Sequence, residues 1–114
     1  MKNLLIIISQ SPLESTNPLK RIKTALALAS SIGELKTTLF LSGDGIYYGL
    51  KDLTAGGLND LWDAFRAVNC EIMLEKESMQ ARKIPQENLL PDIKPISRKN
   101  FIELLSQNQH CLKL

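Results

Sequence analysis

Leu4, Leu5, Ile6, Ile7 and Ile8 follow one another without a polar residue between them. Side chains alternate between the two faces of a strand, so a strand of this composition must be covered on both sides. Short, continuous apolar runs of this kind suit the centre of a sheet lying between helices. Asn3–Ser9 is therefore read as a central strand, and the rest of the chain has to supply the helices that cover it. Thr37–Leu41 is a second β-favouring run, and it stops abruptly at Ser42-Gly43-Asp44-Gly45.

The segments between and after these runs read as helices and further strands. Asn17 can cap a helix with Pro18 at its first position, where the missing N–H costs nothing. Leu19, Ile22, Leu26 and Ala29 then recur at helical spacing, and Gly33 supplies the stop. A short helix is expected over about Ile46–Lys51. After the break at Gly56-Gly57 a second one runs over about Asn59–Ala67, with Leu58, Leu61, Trp62, Phe65 and Val68 as its apolar stripe. Glu71–Leu74 is the third strand, followed by a helical turn near Ser78–Arg82. Asp92–Ile96 is a fourth strand, in which Pro91 and Pro95 fit only at the ends or at a sheet edge. Ser97 caps a last helix carrying Phe101, Ile102, Leu104 and Leu105, and His110–Leu114 closes as a short strand.

Strands alternating with helical crossovers imply a parallel sheet. The expected fold is α/β: a single three-layer domain over residues 1–114, with a mostly parallel sheet of about five strands and helices on both faces. A chain of 114 residues supports one hydrophobic core.

The same composition excludes several classes of function. A formal charge of +2, with no basic stripe and no interleaved aromatics, gives no signature of direct nucleic-acid binding. Leu4–Ile8 is too short to span a bilayer, so no membrane association is expected. Cys70 and Cys111 form no Cys-x-x-Cys pair, and His110, the single histidine, has no partner at ligand spacing, so no metal site is expected. Both thiols are expected to be free, in the cytoplasm. Ser9-Gln10-Ser11-Pro12 lacks the glycines and the Lys-Ser/Thr of a phosphate loop, and no cofactor is expected.

Ligands of open parallel sheets bind where the strands end. Three such loops, Ser9–Pro12, Ser42–Gly45 and Glu75–Arg82, should meet at one edge, which makes Ser11, Asp44, Glu75 and Ser78 the candidate ligand-binding residues. The plainer reading makes Asp44 a turn residue capping the next helix, and Glu75–Ser78 a solvated helix start. A base-activated serine needs a histidine or an equivalent base, and no such arrangement is visible in the sequence. Cys70 and Cys111 each open or precede a strand, which places them at the opposite edge. Cys111, near His110 and Lys113, is the more exposed candidate nucleophile; Cys70 lacks a positive neighbour, and a small buried hydrophobe is the default for cysteine.

In their order, these segments resemble the DsrE/DsrF/DsrH superfamily of small sulfur-relay proteins, which includes the subunits of the bacterial tRNA-thiolation relay. The resemblance runs over nearly the whole chain. It is carried by Lys2–Pro12 with its Ser-x-x-Pro loop, the helix Leu19–Ile32 and the phrase Leu39-Phe-Leu-Ser-Gly-Asp-Gly-Ile46. Ser78-Met79-Gln80-Ala81-Arg82-Lys83-Ile84 and the Phe101-Ile-Glu-Leu-Leu105 ending complete it. The resemblance implies a parallel α/β fold and assembly into trimers or hexamers, as a homo-oligomer or with related subunits, and a possible sulfur-relay protein partner. It also implies a cysteine persulfide carrier at the end of the third strand in catalytic members. That position here is Glu75, a further family cysteine falls at Ser78, and Lys83 stands where glycine is usual.

A carboxylate cannot hold a persulfide, and Cys70 lies five residues away, about 16 Å along an extended strand. The expectation is a non-catalytic or atypical oligomeric subunit. The alternatives are a sulfurtransferase working through Cys111 or Cys70, and a small-ligand binder on the same fold.

Overall fold

The computed structural model describes residues 3–10, 20–31, 36–50, 58–68, 70–90, 92–107 and 110–114. Strands β1 (Asn3–Ile8), β2 (Lys36–Leu41), β3 (Glu71–Glu75), β4 (Lys94–Ile96) and β5 (His110–Lys113) form one sheet in the order β4-β3-β2-β1-β5. Every pairing is parallel. Helices α1 (Lys20–Ser31), α2 (Leu58–Ala67), α3 (Lys76–Ala81) and α4 (Arg98–Gln107) lie between them in the chain. The α/β class and helix cover on both faces are as expected from the apolar strands.

Alternation along the strands divides the core in two. Leu4, Ile6 and Ile8 of β1, Leu39 and Leu41 of β2 and Ile72 and Leu74 of β3 share one face with Ile22 and Ala25 of α1 and Trp62 and Phe65 of α2. Leu5, Phe40, Met73 and Ile96 share the other with Phe101 and Leu104 of α4. There the Phe40 and Phe101 rings stack at 3.9 Å between centroids. The continuous run Leu4–Ile8 is explained: its odd and even members serve different cores, and both are needed.

Local differences from the sequence reading have physical causes. The expected helix near Ile46–Lys51 is a 3-10 segment, Gly43–Gly49, beginning inside the glycine turn, with Lys51 outside the described residues. The helical turn near Ser78–Arg82 starts earlier, at Lys76, so that β3 runs straight into α3. Val68, one residue past α2, is 38% exposed rather than in its buried stripe, and the side chains of Leu58 and Leu61 lie outside the described set. Ser97 accepts the Asn100 N–H at 3.2 Å, the capping bond expected for α4. Only Phe101 and Leu104 of its four large apolar residues face the sheet, while Ile102 is 60% exposed.

Candidate functional site at the carboxyl ends of the strands

The turn after β2 is fastened to the end of β1. The Ser42 N–H donates to the Ile8 carbonyl at 3.0 Å, and Gly45 packs directly on that peptide. A Cβ on Gly45 would stand 2.2 Å from the Ile8 oxygen, so no other residue fits. Gly43 has φ +53°, in the left-handed region that glycine enters without cost. These two glycines hold the turn flat against the sheet edge.

From there a polar chain runs across the edge to β3 and β4. The Gly43 N–H donates to Ser78 Oγ at 3.0 Å, and Ser78 in turn donates to Glu75 Oε1. Arg98, the first residue of α4, donates to the same oxygen at 3.2 Å. Glu75 is 9% exposed and Ser78 5%, although both belong to a polar turn. Beside them Arg82 donates to Asp44 Oδ1 from Nε at 3.2 Å and from Nη2 at 2.7 Å, and to the Ser78 carbonyl at 3.1 Å. Glu77 accepts the Arg98 backbone N–H at 2.8 Å, which ties the start of α4 to α3.

Asp44, Glu75 and Ser78 are thus brought into one network with Arg82 and Arg98. Asp44 is not a cap: it lies within the first turn of the 3-10 segment, whose cap position is Ser42, and its carboxylate is spent on Arg82. Ser11 lies outside the described residues. The sequence reading missed Arg98, although the signal was present: Ser97-Arg98 follows a parallel strand at the edge where the other loops converge.

The electrostatics define the chemistry this network can perform. Burial pushes the Glu75 carboxyl up, but the hydrogen bonds from Ser78 and Arg98, then the charges of Arg98 and Arg82, outweigh it. Its pKa lies below the ordinary carboxylate value, and at neutral pH it is an anion. A carboxylate held this way is a poor base for the serine proton. Ser78 is a bridging hydroxyl, donating to Glu75 and accepting from Gly43. His110 opens β5, beside Leu4 at the opposite end of the sheet, and is remote from Ser78.

The two cysteines differ sharply. Cys70 immediately precedes β3, at the far end of that strand from Glu75. It is 8% exposed, and its thiol is pushed up to about 12 by burial, with an opposing backbone hydrogen bond from Leu39 and a further push from Glu71. It is a neutral thiol at physiological pH. Cys111 is exposed on β5, paired with Leu5, and Lys113 stands two residues on along the same face. Among the described residues, no group of three or more His, Cys, Asp or Glu side chains could hold a metal ion. No helix among them is long and apolar enough to cross a membrane.

An all-parallel five-stranded sheet with covered faces defines a small α/β protein, here with a polar cluster at the carboxyl ends of the strands, the side on which ligands of open parallel sheets bind. Within that class the chain belongs to the DsrE/DsrF-like family, whose model matches residues 2–114. The fold is similar to the crystal structure of the ychN protein from E. coli, with a TM-score of 0.86 at 20% identity over 100% of both chains. It is also similar to MTH1491 of Methanobacterium thermoautotrophicum, a protein of unknown function, at TM-score 0.81 and 9% identity over 100% of both chains. A third likeness is to BT1422 of Bacteroides thetaiotaomicron, a conserved protein of unknown function. There the TM-score is 0.71 at 13% identity, over 99% of this chain and 95% of that one. At these identities the likeness is one of fold. No curated protein matches the sequence.

Proposed function

We propose that this chain is a non-catalytic, oligomeric subunit of an intracellular DsrE-like sulfur relay, working beside related subunits or a sulfur-carrying partner protein. The observation that carries the reading is Glu75. It occupies the end of β3, where the family resemblance puts a sulfur-carrying cysteine, and it is buried, ionised and fastened on both sides by Ser78 and Arg98. A carboxylate so placed accepts hydrogen bonds and braces α3 against α4. It offers no sulfur nucleophile, and Cys70 is too buried and too weakly acidic to replace one.

The test is intact-mass analysis after incubation with a cysteine desulfurase and cysteine, on the wild type and on Cys70→Ser and Cys111→Ser, with a catalytic relative labelled in parallel. The expected result is no adduct on this chain while the relative gains sulfur. A reductant-reversible gain of about 32 Da on the wild type, lost only in Cys111→Ser, would overturn the reading and make the exposed Cys111 a relocated carrier. The observation favouring that second reading is the exposed thiol with Lys113 on the same face.

A further inference from the structure

The polar network at the strand ends leaves two opposite charges only partly used. Arg98 meets Glu75 through a single contact: Nη2 donates to Oε1 at 3.2 Å, and that oxygen also accepts from Ser78. A forked pairing would occupy both carboxylate oxygens and two N–H groups. Here Glu75 Oε2 has no hydrogen-bond partner among the described residues, and neither do Arg98 Nε and Nη1. Oε2 is not sealed in. The enclosed side-chain atoms without a partner among the described residues are Thr37 Oγ1 and Trp62 Nε1, so Oε2 reaches the surface. Arg98 is itself exposed. The rest of the network is committed: Ser78 Oγ both donates and accepts, and all three nitrogens of the Arg82 guanidinium are engaged by Asp44 and the Ser78 carbonyl.

We propose that Glu75 and Arg98 bind the zwitterion of a free α-amino acid, its ammonium donating to Glu75 Oε2 and its carboxylate accepting from the open N–H groups of Arg98. Charge selects this class of ligand. Glu75 is held as an anion by its hydrogen bonds from Ser78 and Arg98, and an arginine is always a cation. A lone anion at Arg98 would stand beside the Glu75 charge, and a lone cation at Glu75 beside the Arg98 charge. Each would gain one attraction and suffer one repulsion at similar range. A ligand carrying both signs turns both into attractions. The two open positions flank one 3.2 Å contact, so the charges of the ligand must lie equally close together. An α-amino acid carries both on a single carbon, whereas a longer amino acid holds them apart. Glu75 is buried and fixed by its bonds to α3 and α4, so little order has to be imposed on it when the ligand arrives. The site also lies where open parallel sheets bind their ligands. It goes beyond the relay reading and does not depend on it.

The test is an NMR titration of isotope-labelled protein with glycine at constant ionic strength, read at the Gly43 and Ser78 amides and the Arg98 Nε–H. These resonances should follow one saturable curve, and L-alanine should reproduce it. Acetate, methylammonium and γ-aminobutyrate offer one charge, or two held apart, and should bind at least about tenfold more weakly. Glu75→Gln removes the charge that meets the ammonium, and Arg98→Lys keeps the positive charge but loses the planar fork. Each should weaken glycine binding by about tenfold or more with an unchanged circular-dichroism spectrum. The ion series is read on the wild type, so it decides the question even where a variant unfolds. Shifts that stay linear in glycine, equal saturation by acetate or methylammonium, or glycine binding unchanged in both variants would each overturn the proposal. None of these results bears on sulfur transfer, which the mass analysis tests separately.

Discussion

Replacing Lys83 with glycine should stabilise this protein, and the size of the gain follows from one turn of backbone. Lys83 has φ +55°, the only positive φ at a non-glycine residue among those described. It sits where α3 closes: its N–H donates to the Gln80 carbonyl at 3.1 Å, and the next N–H, of Ile84, reaches back to Met79 at 3.1 Å. These two bonds form a Schellman closure, whose left-handed position glycine fills best. An L-residue with a Cβ is disfavoured there by about 1–2 kcal/mol. Glycine recovers that, less about 0.5–1 kcal/mol for the wider freedom it gives the unfolded chain. The expected net gain in Lys83→Gly is about 1 kcal/mol, or a rise of roughly 4 °C in Tm for a domain of this size. Urea and thermal unfolding of Lys83→Gly, Lys83→Asn and Lys83→Ala should rank glycine above asparagine, with alanine no better than wild type. The alanine variant separates the loss of charge from the change of backbone. Equal gains for glycine and alanine, or no gain for glycine, would refute the reasoning and show that the exposed Lys83 side chain, not φ, governs this position.

Three further outcomes test the edge and its neighbours. Gly45→Ala should cost about 3 kcal/mol or more in urea unfolding, because its Cβ would collide with the Ile8 peptide, which cannot move without disturbing β1. A loss below about 1 kcal/mol would mean that the turn does not press on β1 as described. The Glu75 carboxyl has a folded pKa below its unfolded value near 4.5, so its charge contributes stability fully above that value, lost as the pH falls through the folded pKa. The stability difference between wild type and Glu75→Gln should therefore be largest at neutral pH and vanish in acid; a difference that grows in acid would contradict the ionised assignment. Finally, a disulfide reagent should modify Cys111 at once in the native protein and Cys70 only after unfolding, given the buried position and raised pKa of Cys70. Rapid reaction of both thiols would show that the lower end of β3 is open.

Much of the fold was legible because it is written in local patterns. The run Leu4–Ile8 required cover on both faces whatever followed it, and α1 and α2 on one side with α4 on the other provide that cover. Ser97 before α4 acts through its own backbone neighbourhood, so its role could be read from spacing alone, whereas Gly45 marks a turn by its type but is required because it packs on the Ile8 peptide of β1, thirty-seven positions away. Asp44, Glu75 and Ser78 could be placed at one edge because parallel strands put all their carboxyl ends on the same side.

What each of those side chains does there was decided only by the tertiary structure. Glu75 and Ser78 read as a solvated helix start, yet they are buried, because β3 runs without a gap into α3 and α4 begins beside them. Arg98 lies twenty-three positions from Glu75 in the chain, and Arg82 thirty-eight from Asp44, so neither ion pair has a local signature. The split of α4 into an inward Phe101 and an outward Ile102 depends on which way the helix lies on the sheet. The position of β5 beside β1 depends on which edge was left free. Periodicity within a segment determines what that segment must bury; the partner it meets, and the charge state that meeting imposes, belong to contacts between segments far apart in the chain.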